Sequence, residues 1–311
     1  MSISSFSIFS SLIPVFLLIL IGYIWRCVSR MEDRFISYLN TFLFNAAVPA
    51  LLFIKIASAK FELLTEIKLA LSLCIAILLM FFFSLFLVKL LKIKKTISSV
   101  IVQGSFRCNL IYFGFPVIYT MFGDKGLVHA SIITAFAGPL INILGIITFV
   151  TMLPNRNNQN LFISQLKAII TNPIVLACIF GIVFSLLSIS LPKEVKFSLN
   201  MLGAIALPMS LIAMGAIFSF KKLHSTQPQY LFLNGILKLF ILPLITLLFL
   251  HLLHISSDLS IICLILAGTP SSPGSFIIAK AMGGDDVFSA ATVMSTMLFT
   301  IVSLPLILSL L

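Results

Sequence analysis

Charge is what this sequence has least of. Only 9% of its 311 residues are charged, and just nine are acidic. All nine (Glu32, Asp33, Glu62, Glu66, Asp124, Glu194, Asp258, Asp285, Asp286) lie in or beside expected loops. A membrane-embedded aspartate pair for proteolysis is therefore missing, and a carboxylate proton relay has no support. The five cysteines, Cys27, Cys74, Cys108, Cys178 and Cys263, are scattered and odd in number. They read as reduced thiols in apolar surroundings, not as disulfides or metal ligands. HExxH, GxxxxGK[ST] and GxSxG are absent, and GTPSSPGS resembles a serine motif only loosely. His251 and His254, one turn apart, are too few to hold a metal. No enzyme and no cofactor is expected.

What is present is apolar. Sixty per cent of the residues are hydrophobic and the mean hydropathy is +1.20. Runs of 18 or more apolar residues recur, each long enough to span a hydrocarbon core of about 30 Å. The expected fold class is an all-α polytopic membrane protein in a lipid bilayer. Ten spans are expected, near 6–27, 35–58, 67–90, 103–124, 126–152, 173–190, 197–220, 229–252, 259–283 and 287–310. The N-terminal run lacks a basic n-region and exceeds signal length, so it reads as a first span. The net charge of +11 does not point to nucleic acid, because the basic residues are spread over short loops. Counted from an external N-terminus, twelve fall in inner loops (Arg26, Arg30, Arg34, Lys89, Lys92, Lys94, Lys95, Arg156, Lys167, Lys221, Lys222, Lys280). Five fall outside (Lys60, Lys68, Lys125, Lys193, Lys196), which puts both termini outside. Lys55, Arg107 and Lys238 remain within spans.

The fourth stretch, QGSFRCNLIYFGFPVIYTMFGD (103–124), is apolar yet carries Arg107, Asn109 and a Gly114-Phe-Pro116 break. Proline has no amide hydrogen and its ring clashes with the carbonyl four residues back. The helix is thus expected to open between about Asn109 and Pro116, then restart with Pro116 near its first position. The ninth stretch carries a second break, AGTPSSPGSFIIAKAMGG, where Ser272-Pro273 reads as an N-cap followed by proline. Broken helices point to a transporter's binding site.

The chain also repeats itself. Pro14, Gly22 and Pro49 recur as Pro173, Gly181 and Pro208, each 159 residues later. MFGDKGLVHAS matches AMGGDDVFSAAT at an offset near 161. Five spans is an odd number, so the second copy would enter the membrane inverted. The expected division is 1–153 for the first repeat, 154–172 for a cytoplasmic connector with an amphipathic piece, and 173–311 for the second repeat. Crossing at mid-membrane, two restarting half-helices would aim N–H groups and positive dipole ends inward, which suits an anion.

Candidate binding residues are Arg107, Asn109, Gly114 and Pro116 at the first break, and Pro270, Ser271, Ser272, Pro273, Gly274 and Ser275 at the second. Arg107 lies about 17 Å past the Lys95 boundary at 1.5 Å per residue. It either caps freed carbonyls or snorkels through a wet vestibule, or it attracts an anionic substrate. The Asn109 amide has the same two uses, backbone or ligand. Asn45 and Lys238 are accessory candidates. Asn45 is placed to bond the kinked backbone before Pro49, while Lys238 and Lys55 read as snorkelling side chains.

NAAVPALLF, SFRCNLIYFGFPVIYTMFGD, NPIVLACIFGIVFSLL, ALPMSLIAMG, LKLFILPL and AGTPSSPGSFIIAKAMGG, in this order and spacing, resemble the auxin efflux carrier family. The resemblance implies ten spans in two inverted halves, with spans 4 and 9 crossing as broken helices. It implies a scaffold of spans 1, 2, 6 and 7, often a homodimer interface, beside a moving bundle of spans 3–5 and 8–10. It implies transport of organic anions, for a compact bacterial-type member malate or related carboxylates, across the inner membrane. The family's crossover asparagine falls on Asn109, and its Arg-x-Asn pattern on Arg107 and Asn109. Where members often carry asparagine, this chain has Gly274, which removes a second amide contact. Two other readings remain: a sodium symporter of the bile-acid type, with freed carbonyls holding the ion, and a metabolite-binding membrane receptor without flux.

Overall fold

Helices follow the apolar stretches. The computed structural model describes residues 5–29, 31–59, 62–153, 171–218 and 226–310. Among these residues all regular secondary structure is helical, joined by turns and short irregular pieces, apart from one antiparallel bridge between Cys108 and Ser271. The helices are α1 (Ser5–Ser29), α2 (Asp33–Phe42), α3 (Val48–Ala57), α4 (Leu63–Leu90), α5 (Lys95–Phe106), α6 (Phe115–Met152) and α7 (Pro173–Leu186). They continue as α8 (Lys193–Ala204), α9 (Ala206–Ala216), α10 (Pro228–Ile236), α11 (Leu242–Leu252), α12 (Ser257–Ala267), α13 (Gly274–Met282) and α14 (Asp286–Leu308). Seven helical runs among the described residues are long and apolar enough to cross a membrane. Two expected spans are merged in Leu110–Met152, while Pro173–Leu186 and Asp258–Ala267 are shorter apolar helices. Most of the expected connector (154–170), with Arg156 and Lys167, lies outside the described residues, as do Arg30, Lys60, Lys221 and Lys222.

Proline shapes the mid-span geometry in a regular way. Three wide π-turns, Leu43–Ala47, Leu110–Gly114 and Leu237–Ile241, each end two residues before a proline: Pro49, Pro116 and Pro243. A proline leaves one carbonyl of the preceding turn without its donor, and a wider turn redistributes that mismatch. Pro208, the repeat partner of Pro49, likewise follows an interruption, at Ile205 between α8 and α9. Gly123 breaks the long run of α6 with φ 58° and ψ −148°, a conformation a side chain would strain. Gly283, at φ 78°, closes α13 in the matching motif.

The helices cluster into two units that interleave along the chain. Unit 1 is Met1–Glu66, Ile111–Ala135 and Thr171–Phe218, and unit 2 is Ile67–Leu110, Phe136–Ile170 and Ser219–Leu311. In unit 1, α1 and α9 touch backbone to backbone. A Cβ on Gly22 would fall 2.1 Å from the Ile212 carbonyl oxygen, and one on Gly215 only 1.9 Å from that of Ile19. Gly181, the repeat partner of Gly22, does the same work on α7, where a Cβ would meet Ile56 at 2.9 Å. Small residues permit such close helix approach, the means by which membrane helices pack when lipid supplies no hydrophobic drive. Unit 2 gathers α4, α5, the C-terminal part of α6 and α10–α14 around the two chain breaks. All five cysteines are free thiols.

Candidate functional site

The first break lies earlier than proline chemistry alone predicts. α5 stops at Phe106, residues 107–109 run extended, and the π-turn resumes the coil at Leu110. Pro116 sits second in α6, near the start as expected, but the π-turn before it absorbs its lost bond. The opening is therefore three residues at Arg107–Asn109, at the upstream edge of the expected window and overlapping it only at Asn109. The second break spans 268–273, between α12 and α13.

In unit 2 the two extended pieces cross and pair. Asn109 N donates to Pro270 O at 3.0 Å, and Ser272 N donates to Arg107 O at 3.1 Å. Ser271 N donates to the Thr296 hydroxyl of α14 at 3.0 Å, and the Ser271 hydroxyl donates to Gly104 O of α5 at 3.0 Å. At the start of α13, Gly274 N donates to the Ser272 hydroxyl, and Ser275 N to Ser272 O. The helix starts one residue later than anticipated, at Gly274 with Pro273 (φ −53°, ψ −26°) in the cap position, while the Ser272 hydroxyl accepts from Gly274 N. The pairing corrects another expectation. The amides freed at the second break are already paired, Ser272 N with Arg107 O, Ser271 N with the Thr296 hydroxyl, and Gly274 N and Ser275 N with Ser272, because buried backbone groups pair wherever a partner is in reach. What remains without a partner is side-chain chemistry.

That chemistry centres on Arg107. It is 8% exposed, and its Nη2 donates to Asn142 Oδ1 of α6 at 2.9 Å. Its Nε and Nη1 are buried with no hydrogen-bond partner. Two glycines make room for the guanidinium. A Cβ on Gly274 would lie 2.8 Å from Nη2, and one on Gly145 would lie 3.2 Å from Nη1. Glycine at 274 thus leaves room for the guanidinium against the first residue of α13. Gln103, which shares the Gly145 niche with Arg107, has both amide atoms buried and unpartnered, and the hydroxyl of Ser275, next to Gly274, is likewise buried without a partner. Elsewhere in unit 2 the hydroxyls of Ser289 and Thr292 are also buried without a partner. A cation against the positive end of a helix is unfavourable by itself. Both features favour a negative charge.

The other predicted residues sort plainly. Arg107, Asn109, Pro270, Ser271, Ser272 and Gly274 come together in unit 2. Ser275 is buried in the first turn of α13. Gly114 and Pro116 belong to unit 1, where Pro116 lines a cavity of about 390 Å³ with Lys55, Asp124, Asn200 and Pro208. Asn45 is exposed and donates to Thr41 O at 2.9 Å, the backbone role foreseen for it. Lys55 does not merely snorkel: its ammonium pairs with Asp124 at 2.7 Å. Lys238 does not snorkel at all. It is fully buried, and its Nζ donates to Ala267 O at 2.6 Å.

Glu66 stands beside a loop as expected, in the first turn of α4, yet it is buried: it is 1% exposed, His129 Nδ1 lies against its Oε1, and its Oε2 has no partner. The sequence placed Glu66 near a helix end, but burial depends on α6 lying alongside. Gln103, Asn142 and Asn234 were also passed over. Being amides within apolar runs, they could have been flagged by the same reasoning that singled out Asn109.

The family model for membrane transport proteins matches residues 7–308, nearly the whole chain. The chain belongs to this family, the auxin efflux carriers. Among relatives, the uncharacterized transporter YfdV of Escherichia coli K12 is 25% identical over 304 residues, covering 95% of both chains. A transporter of Methanothermobacter thermautotrophicus is 24% identical over 302 residues, covering 95% of this chain and 96% of its own. The protein is a multi-pass membrane transporter of compact prokaryotic size, and the auxin efflux carrier motifs fall on the two chain breaks, on the π-turn Leu237–Ile241, and on α3, α7 and α9.

Proposed function

We propose that this auxin efflux carrier homologue is a secondary transporter of small organic anions, malate or a related carboxylate, working by alternating access. The carrying observation is Arg107: a buried guanidinium with two unpartnered nitrogens, set against the N-terminus of α13. A carboxylate is a charged acceptor that can take a strong hydrogen bond from either of those nitrogens. Asn109 and Ser275 are proposed to complete the contact, with Gln103 as a neighbouring donor. Ten spans in two inverted repeats fit the matched residues. Asn109 N and Pro270 O, which bond each other, stand near the repeat offset, and Cys108 meets the Ala267 carbonyl at a separation of 159. Equivalent positions of two inverted copies meet at their pseudo-axis. On this reading unit 1 contributes the scaffold and unit 2 the moving crossing, in a bacterial inner membrane with both termini outside.

An interior-negative potential favours exit of an anion by about 2.3 kcal/mol per charge per 100 mV, so export or exchange needs no coupling ion. The test is a thermal-shift screen of purified protein against organic acids, followed by flux of the labelled hit in proteoliposomes. Wild type should be stabilised by at least one dicarboxylate and should pass it. Arg107→Gln and Asn109→Ala should each lose tenfold or more in apparent affinity. A protein that binds a carboxylate yet passes none would make the receptor reading correct.

A further inference from the structure

The helix at 228–241 holds two polar side chains four residues apart, and each meets one broken helix. Asn234 Nδ2 donates to Ile101 O of α5 at 2.8 Å, and Lys238 Nζ donates to Ala267 O, the last residue of α12, at 2.6 Å. Both are fully buried. The end of α5 is thus served by neutral donors, the Asn234 amide and the Ser271 hydroxyl. The end of α12 receives a lysine Nζ, and the Cys108 thiol meets the same carbonyl.

An amide there would complete the same bond at much lower desolvation cost. Glu66 is the only buried acid among the described residues, and it lies in unit 1, so no buried carboxylate of unit 2 balances this ammonium. What faces it is the C-terminal end of a half-helix, equivalent to roughly half a negative charge. Carbonyls at such ends are where broken-helix transporters hold their coupling cations. We infer that Lys238 is a tethered cation, standing at the end of α12 in the place a free alkali cation would otherwise take. The transporter therefore carries its own counter-charge for the second crossing helix and draws no stabilisation from sodium or potassium. This deepens the transport reading above, since it supplies the reason the crossing needs no coupling ion.

The experiment compares melting temperatures of the purified full-length protein in sodium, potassium and choline chloride at equal ionic strength. Wild type should melt at the same temperature in all three. Lys238→Gln keeps a neutral donor and should fold, but should melt several degrees higher in sodium than in choline. Lys238→Ala should melt lower than wild type and be restored in part by sodium or by propylammonium, which returns an ammonium to the truncated site. Lys238→Arg should keep the cation independence of wild type. The inference is overturned if sodium or potassium stabilises wild type, or if Lys238→Gln melts alike in all three salts. No arm requires flux or an organic acid, so failure of the anion reading would show separately, as a wild type indifferent to every carboxylate.

Discussion

The two units handle buried charge in opposite ways. Unit 1 sets opposite groups against each other: Glu66 against His129, and Lys55 against Asp124. Unit 2 buries two cations, Arg107 and Lys238, and gives them neutral oxygens, Asn142 Oδ1 and Ala267 O. A pair of opposite charges is electrically closed and has little to offer an ion from outside. A buried cation held only by neutral dipoles remains an electrostatic demand, because desolvation is only partly repaid. On the proposed reading, that difference assigns the anion-responsive chemistry to unit 2 and leaves the pairs of unit 1 a structural part.

The contrast can be broken by giving unit 2 an acid. Asn142→Asp puts a carboxylate at the same 2.9 Å contact with Arg107. It should raise the melting temperature while weakening organic-acid stabilisation by tenfold or more, about 1.4 kcal/mol or above. Lower stability together with intact acid binding would show that Arg107 faces no incoming anion. The next effect is in unit 1. Glu66→Gln removes the charged acceptor of a buried hydrogen bond and should cost about 1.5–3 kcal/mol of stability, read as a lower melting temperature. Its response to organic acids should stay at the wild-type level, and a lost response would move the ligand chemistry into unit 1. The smallest effect is expected at the half-exposed pair. Asp124→Asn should change stability by no more than about 1 kcal/mol, since solvent already screens much of that attraction.

Much of the fold was legible because its signals are local. Apolar runs marked the helices, and proline after a polar residue marked the second break to within a residue. Repeated glycines and prolines marked positions that turn out to share roles, as Gly22 and Gly181 do at helix contacts. Arg107 and Asn109 stood out because a strongly polar residue within an apolar run is costly and seldom incidental. The site was legible only in part. Pro116 drew attention to its own position, yet the chain opens at 107–109, where antiparallel pairing with 270–272 compensates the lost helical bonds.

By itself, then, the sequence determined that this chain is a multi-pass helical membrane protein, where its helices are interrupted, and which family it joins. These follow from side-chain hydropathy and from backbone constraints that act within a turn or two. Only the tertiary structure decided which polar groups are spent and which are left over. The Ser272 amide is spent on Arg107 O, α6 seals Glu66 against His129, and α12 ends on Lys238 instead of leaving it to solvent. Each of those outcomes joins residues 29 to 165 positions apart. Burial and partnership at that range depend on which helix lies beside which, and no local pattern of residues carries that information.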